Sequence, residues 1–236
     1  MFAFFQRIIP KHFLSRLVGY VAKSELPLIK GLFINIFCML YKIDLGEAQR
    51  ERTSDYRSFN DFFTRSLKPG SRAIGGTVSS PADGTVAALG NIDGDTLIQS
   101  KNHSYSLAKL IASNDIDDFS AGSFITIYLA PHNYHRVHAP WTGELHHATY
   151  VPGDLFSVNQ STALHLPHLF ARNERLVCRF RTDAGPAVAV LVGAMLVAGI
   201  KPAWLDRAYK PRLQITTEME RSFDQGDELG QFEMGS

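Results

Sequence analysis

Pro186-Ala187-Val188-Ala189-Val190-Leu191-Val192-Gly193-Ala194-Met195-Leu196-Val197-Ala198-Gly199-Ile200 is the stretch on which the fold turns. It is apolar almost throughout, so it is either a buried helix or a long pair of strands. Periodicity alone does not separate the two in such a run. The β-branched valines suit a pleated surface, and Gly193 and Gly199 would each weaken a helix. Strands are therefore predicted. Working outward, residues 175–180 alternate as a half-exposed strand should. Residues 123–130 are rich in β-branched and aromatic side chains and read as another strand, as do residues 85–90. Gly, Asp and Pro punctuate the joints.

The front of the chain has a different texture. Residues 1–43 carry Arg7, Lys11, Arg16, Lys23, Lys30 and Lys42 against Glu25 alone, a net +5. They also hold Phe2, Phe4, Phe5, Ile8 and Ile9. Phe13, Leu14, Leu17, Val18 and Val21 recur at helical spacing. Pro27 breaks this helix from a second one over residues 28–41. Basic side chains among aromatic and aliphatic ones are the composition of a helix lying in a membrane interface. The alternative is a helical cap packed on the protein's own core. The apolar runs fall short of the ~20 residues that span a bilayer, and no secretory cleavage site is evident. A third helix is predicted from Ser58, an N-cap with Asp61 three residues on, burying Phe59, Phe62 and Phe63. Residues 67–75 read as a linker. The expectation is an α+β protein: a helical, membrane-associating region over 1–66 and a β-rich catalytic domain over 67–236.

Composition narrows the function classes. The 236 residues carry a net charge of +1, so no global field favours nucleic acid. Cys38 and Cys178 have no metal-knuckle or redox spacing, which points to a reducing compartment.

Three short segments could carry chemistry. His135 and His138 flank Arg136-Val137. In a strand they would face opposite ways, whereas a turn after Pro131 would let them converge. They suit acid–base work, zinc ligation, or one of each. Asp83, in Pro81-Ala82-Asp83-Gly84, is a turn residue by composition and a candidate orienting carboxylate by chemistry. Gly235-Ser236 closes the chain. A serine after a glycine is a candidate for attack on its own backbone, because glycine leaves the carbonyl approachable. A zinc-dependent hydrolase built from His135, His138 and Asp83 or Asp154 is a rival reading. A non-catalytic membrane-binding module is another.

Several longer motifs resemble the phosphatidylserine decarboxylase family, in its bacterial membrane-associated form. They are residues 80–86 (SPADGTV), 134–140 (YHRVHAP), 150–159 (YVPGDLFSVN), 169–175 (LFARNER) and the closing 226–236 (GDELGQFEMGS). Ser58-Phe59-Asn60-Asp61-Phe62-Phe63 resembles the family's entry helix. The resemblance covers nearly the whole chain. It implies that Ser236 attacks the Gly235 carbonyl, that the chain splits there, and that Ser236 becomes a covalent pyruvoyl group. It implies His138 as the base for that step, with Asp83 orienting it. It implies a Schiff base to phosphatidylserine, loss of CO2 with His135 as proton donor, and release of phosphatidylethanolamine, with no metal. The partners it implies are phosphatidylserine, an anionic membrane surface and a small pyruvoyl-bearing subunit from the same precursor. A second copy of the chain is a further candidate partner, and the expected place is peripheral, on the cytoplasmic face of the cell membrane. Family members continue past the serine, so the polypeptide ending at Ser236 is expected to lack the small-subunit segment and to be inactive alone.

Overall fold

A computed structural model describes residues 10–100, 103–210 and 213–235. The expectations placed on residues 1–9 and on Ser236 lie outside the described residues. In chain order the helices and strands are α1 (Lys11–Ala22), α2 (Pro27–Tyr41), α3 (Phe59–Phe63), β1 (Thr85–Asn91), β2 (Thr96–Ser100), β3 (His103–Ser106), α4 (Leu107–Ile111), β4 (Ser123–Tyr128), β5 (Arg136–His138), β6 (Gly143–Val151), α5 (Gln160–His165), α6 (Leu169–Arg172), β7 (Arg175–Thr182), β8 (Gly185–Val192), β9 (Val197–Pro202), β10 (Ile215–Phe223) and β11 (Glu228–Met234).

The decisive apolar stretch forms two strands, β8 and β9, as its valines predict. They are not partners, however. β8 closes a four-stranded sheet of order β10-β6-β7-β8, and β9 edges a three-stranded sheet of order β5-β11-β9. Residues 193–196 carry the chain from one sheet to the other. The remaining strands pair as β1-β4 and β2-β3.

The four-stranded sheet is covered on both faces. Leu176, Cys178 and Phe180 of β7 point into a core shared with Val137, Ile200, Leu229 and Phe232 of the three-stranded sheet. Val177 points the other way, into a core with α4, α5 and α6. This corrects the expectation of a half-exposed strand. Alternation in β7 separates two interiors rather than core from solvent. Arg175 survives there because its guanidinium donates to the carbonyls of Leu110, Lys109 and Asn173.

The helical front caps the far face of the three-stranded sheet. Ser58 caps α3 as predicted, its Oγ accepting from the Asp61 N–H. Phe59, Phe62 and Phe63 are buried with Tyr56 and Ile34, against Val197 of β9 and Met234 of β11. Pro27 falls in the first turn of α2, where its missing N–H costs nothing. Among the described residues no single helix is long and apolar enough to cross a membrane, and α1 and α2 are bent by 110° at their junction. The apolar stripe of α1 does not face the core. α1 buries Lys11, Ser15, Gly19 and Ala22, while Phe13, Leu17 and Tyr20 are 63, 51 and 82% exposed. On α2, Leu28, Leu32, Phe33, Ile36, Met39 and Leu40 are also exposed. Isolated surface leucines mean nothing, but a contiguous set on two adjoining helices marks an interaction surface.

Candidate active site

Strand β11 organises the chemistry, and its two ends are built differently. At its C-terminal end lies Gly235, with φ of +90°. The Gly235 N–H donates to Leu196 O at 2.8 Å, and its carbonyl accepts from the Ala198 N–H at 3.1 Å. Both partners belong to the β8–β9 crossing and the start of β9, so the stretch that decided the fold also grips this glycine. Helix α1 closes in from the other side. A Cβ on Gly235 would stand 2.5 Å from Gly19 Cα, and one on Gly19 would stand 2.9 Å from Gly235 Cα. Helix and strand meet backbone to backbone, which only two glycines permit. On the same face of α1, the buried Ser15 hydroxyl has no hydrogen-bond partner among the described residues. From α3, Asn60 Oδ1 accepts from the Met234 N–H at 2.8 Å.

His135 stands part-way along β11, opposite Phe232. Its carbonyl accepts from the Phe232 N–H at 2.9 Å, and its ring lies on Phe63 with centroids 4.0 Å apart. Nδ1 is 2.7 Å from Asn133 O. A carbonyl can only accept, so Nδ1 carries the proton and Nε2 the lone pair. The residue is 2% exposed. Burial, helped by the nearby Arg65 and His132, pushes its pKa down to about 3 and keeps it neutral. Arg65 is itself buried, and its Nη1 has no partner among the described residues.

At the other end of β11, Glu228 pairs with His138 across the antiparallel register. His138 Nδ1 donates to Gly226 O at 2.7 Å, and the Tyr134 hydroxyl donates to Nε2 at 3.0 Å. Burial raises the Tyr134 pKa to about 12, so the phenol keeps its proton. The His138 N–H donates to Pro81 O at 2.8 Å, which brings the Asp83 turn alongside. The Asp83 carboxylate is taken by Arg72, through Nε at 2.9 Å and Nη2 at 2.7 Å. Arg72 also holds Glu47 at 2.8 Å.

The predicted site residues therefore separate. Glu228 and Gly235 are seven residues apart, which in extended chain is about 20 Å at ~3.3 Å per residue. His138 and Asp83 sit at one end and Gly235 at the other, with His135 between them opposite Phe232. The expected contact of Asp83 with the His138 ring is not the one formed, because a guanidinium fork is a stronger partner for a carboxylate than a neutral imidazole. The zinc reading fails on the same geometry: among the described residues no three His, Cys, Asp or Glu side chains stand together as ligands. Asp154 instead pairs with Lys11 of α1 and with Arg172. Sequence reasoning missed Asn60, Gly19 and Ser15, which surround Gly235, and Arg72, which claims Asp83. Asn60 lay inside a motif already singled out; the others carry no local signal.

Comparison with known proteins settles the lineage. A family described as phosphatidylserine decarboxylase matches residues 59–236, and a model described as PSD matches residues 1–42. The chain belongs to the phosphatidylserine decarboxylase family. It is 47% identical over 247 residues to the phosphatidylserine decarboxylase proenzyme of Alcanivorax borkumensis, covering 100% of this chain and 85% of that one. It is 45% identical to the proenzyme of Dickeya dadantii, covering 98 and 80%. The proenzyme of Acinetobacter baylyi is 47% identical, covering 98 and 82%. For a family whose members are named as proenzymes, the held Gly235 carbonyl is the feature to explain.

Proposed function

We propose that this chain decarboxylates phosphatidylserine to phosphatidylethanolamine after splitting itself between Gly235 and Ser236. The observation that carries the reading is the grip on Gly235. Self-cleavage needs a carbonyl fixed in place, polarised by a donor and open to the next residue's hydroxyl. The Ala198 N–H supplies the donor, as an oxyanion site does, and the absence of a side chain supplies the opening.

The surroundings fit a pyruvoyl group made from Ser236. Its neighbour is fixed by backbone bonds, and the Ser15 hydroxyl, on the α1 face that meets Gly235, is a buried donor without a partner among the described residues. That group supplies the electron sink that loss of CO2 requires. The protein's own part is to place protons and exclude water. His135, shielded from solvent, presents Nε2 as an acceptor. It becomes a proton donor once an anionic substrate raises its pKa. His138 holds the Gly226 carbonyl at the turn from which β11 starts, and so positions the strand that ends in the scissile bond.

Residues 1–66 would serve as the membrane-associating unit and 67–236 as the catalytic domain. The exposed apolar faces of α1 and α2, set among Lys and Arg, suit peripheral binding to anionic lipid on the cytoplasmic side. A small subunit following Ser236, and pairing with a second copy, complete the reading.

The test is intact mass of a precursor extending past Ser236, followed by assay on phosphatidylserine vesicles. Two chains are expected, the smaller with a blocked N-terminus, and activity lost to carbonyl reagents or borohydride. An unsplit chain that decarboxylates at full rate would overturn the reading.

A further inference from the structure

We infer that the cleft between α1 and the end of β11 receives the polar headgroup of the lipid substrate, with Arg16 as its phosphate contact. This rests on the substrate reading above and adds the residues that hold it. The cleft has a volume of about 220 Å³ and is lined by Arg16, Gly19 and Tyr20 of α1, by Lys23 just past its end, and by Glu233 and Gly235 at the strand end. Its place is the first argument. One wall is the scissile glycine. The other is the helix whose remaining face, Phe13 and Leu17, is bare apolar surface. A diacyl lipid whose chains stay in the bilayer reaches the reacting bond through such a cleft. The volume is below the ~300–1,000 Å³ of sites that engulf a whole drug-sized ligand, so it holds a headgroup and leaves the acyl chains outside.

Charge is the second argument. The cations stand on the helix and the anion on the strand. Arg16 spends one donor, Nε, on His12 O at 3.3 Å, leaving the rest of its guanidinium for a ligand. Lys23 Nζ pairs with Glu233 at 2.7 Å, and the Glu233 side chain is only 12% exposed. Cleavage at Gly235 would add a second carboxylate on the strand side. A phosphoserine headgroup carries its phosphate at one end and, on a single carbon at the other, the ammonium and the carboxylate that leaves as CO2. Its phosphate would meet Arg16 near the membrane, while its ammonium would point to the carboxylates beside residue 236, where the amine must react. Arg suits this role because its planar fork matches phosphate oxygens.

The experiment compares the processed full-length enzyme with Arg16→Gln and the double variant Arg16→Gln/Lys23→Gln. Both side chains lie at the surface, so processing should go to completion in each, read by intact mass. The substrate is a short-chain phosphatidylserine below its micelle concentration, which removes membrane attraction from the reading. Arg16→Gln should raise KM about tenfold, in line with loss of a charge-assisted hydrogen bond, with kcat changed less than threefold. The double variant should raise it further. Glycerophosphoserine should compete in the wild type and fail to compete in Arg16→Gln. If inorganic phosphate competes equally well, the cleft is a general anion site and the headgroup assignment falls. Unchanged KM in both variants, with an active wild type, also overturns the assignment and leaves the decarboxylase reading standing. An inactive wild type would instead count against that reading.

Discussion

The two ends of β11 use the same kinds of residue for opposite purposes. At the Glu228 end His138 is saturated: one ring nitrogen donates to a carbonyl, the other accepts from Tyr134, and the Asp83 carboxylate is spoken for by Arg72. At the Gly235 end the buried Ser15 hydroxyl is left without a partner among the described residues, and between the ends lie a buried neutral His135 and Arg65, whose Nη1 is likewise unpartnered. Saturated hydrogen bonding makes rigid structure, whereas unsatisfied buried donors are costly and persist where a ligand or reaction completes them. On that contrast we propose that the Glu228 end serves structure and the Gly235 end chemistry.

The most severe attack on this contrast is Ser236→Ala in a precursor that extends beyond it. Cleavage and decarboxylation should both disappear, while the fold, judged by circular dichroism, stays. Next in size, His135→Ala should leave cleavage intact and lower decarboxylation by roughly 10²–10⁴, the usual worth of an acid–base group. His138→Ala should slow cleavage, and His138→Asn, whose amide can still donate to Gly226 O, should restore most of it. If Asn is as inert as Ala, and the cleavage rate titrates with pH only when His138 is present, His138 is the base itself. The assignment of the two ends would then be reversed.

A smaller effect probes the helix that closes the reacting end. Gly19→Val would drive a side chain into the Gly235 backbone, which has no flexible tip to yield. Displacing α1 should cost about 1–3 kcal/mol, as overpacking does, and should lower the rate of cleavage. Gly31→Val on α2, where a Cβ meets nothing within 4 Å, is the matched control. Equal effects from the two would show that α1 touches the scissile glycine to no purpose.

How much of this could be read from the chain depends on the range of the interaction. Strands 85–91, 123–128 and 175–182, the Ser58 cap and the Pro27 break follow from local patterns and are present. The lineage was legible because whole motifs persist in order. Pairing was not. That β8 and β9 part company at residues 193–196 depends on which sheets need a fourth and a third strand, and no local residue encodes that. The spacing of three from His135 to His138 says nothing about register. The antiparallel pairing of β5 with β11, set by distant contacts, sends one ring to Phe63 and the other to Tyr134. The exposed stripe on α1 was legible as amphipathic, but not which face would turn inward. The glycine at position 19 decided that, through a backbone contact 216 residues away in sequence.

The mildest test of the contrast is the pH dependence of stability. His135 is held neutral in the folded state, its pKa lowered to about 3 from an ordinary 6.5. Below 6.5 the unfolded chain gains a proton that the folded chain refuses, so stability present above pH 6.5 drains away as pH falls toward 3. His135→Phe keeps a ring on Phe63 and removes the titration. Melting curves between pH 6.5 and 4 should therefore fall less steeply for the variant than for the wild type. Glu174 slopes the other way: burial lifts its pKa to about 7 despite its bond from the Tyr150 hydroxyl. Its stabilising contribution is present below pH 4.5 and drains away as pH rises from there through about 7, so Glu174→Gln should flatten the fall over that interval. Parallel melting curves for wild type and His135→Phe would mean that His135 is solvated, and the reacting end would lose the dry, unsatisfied character that sets it apart.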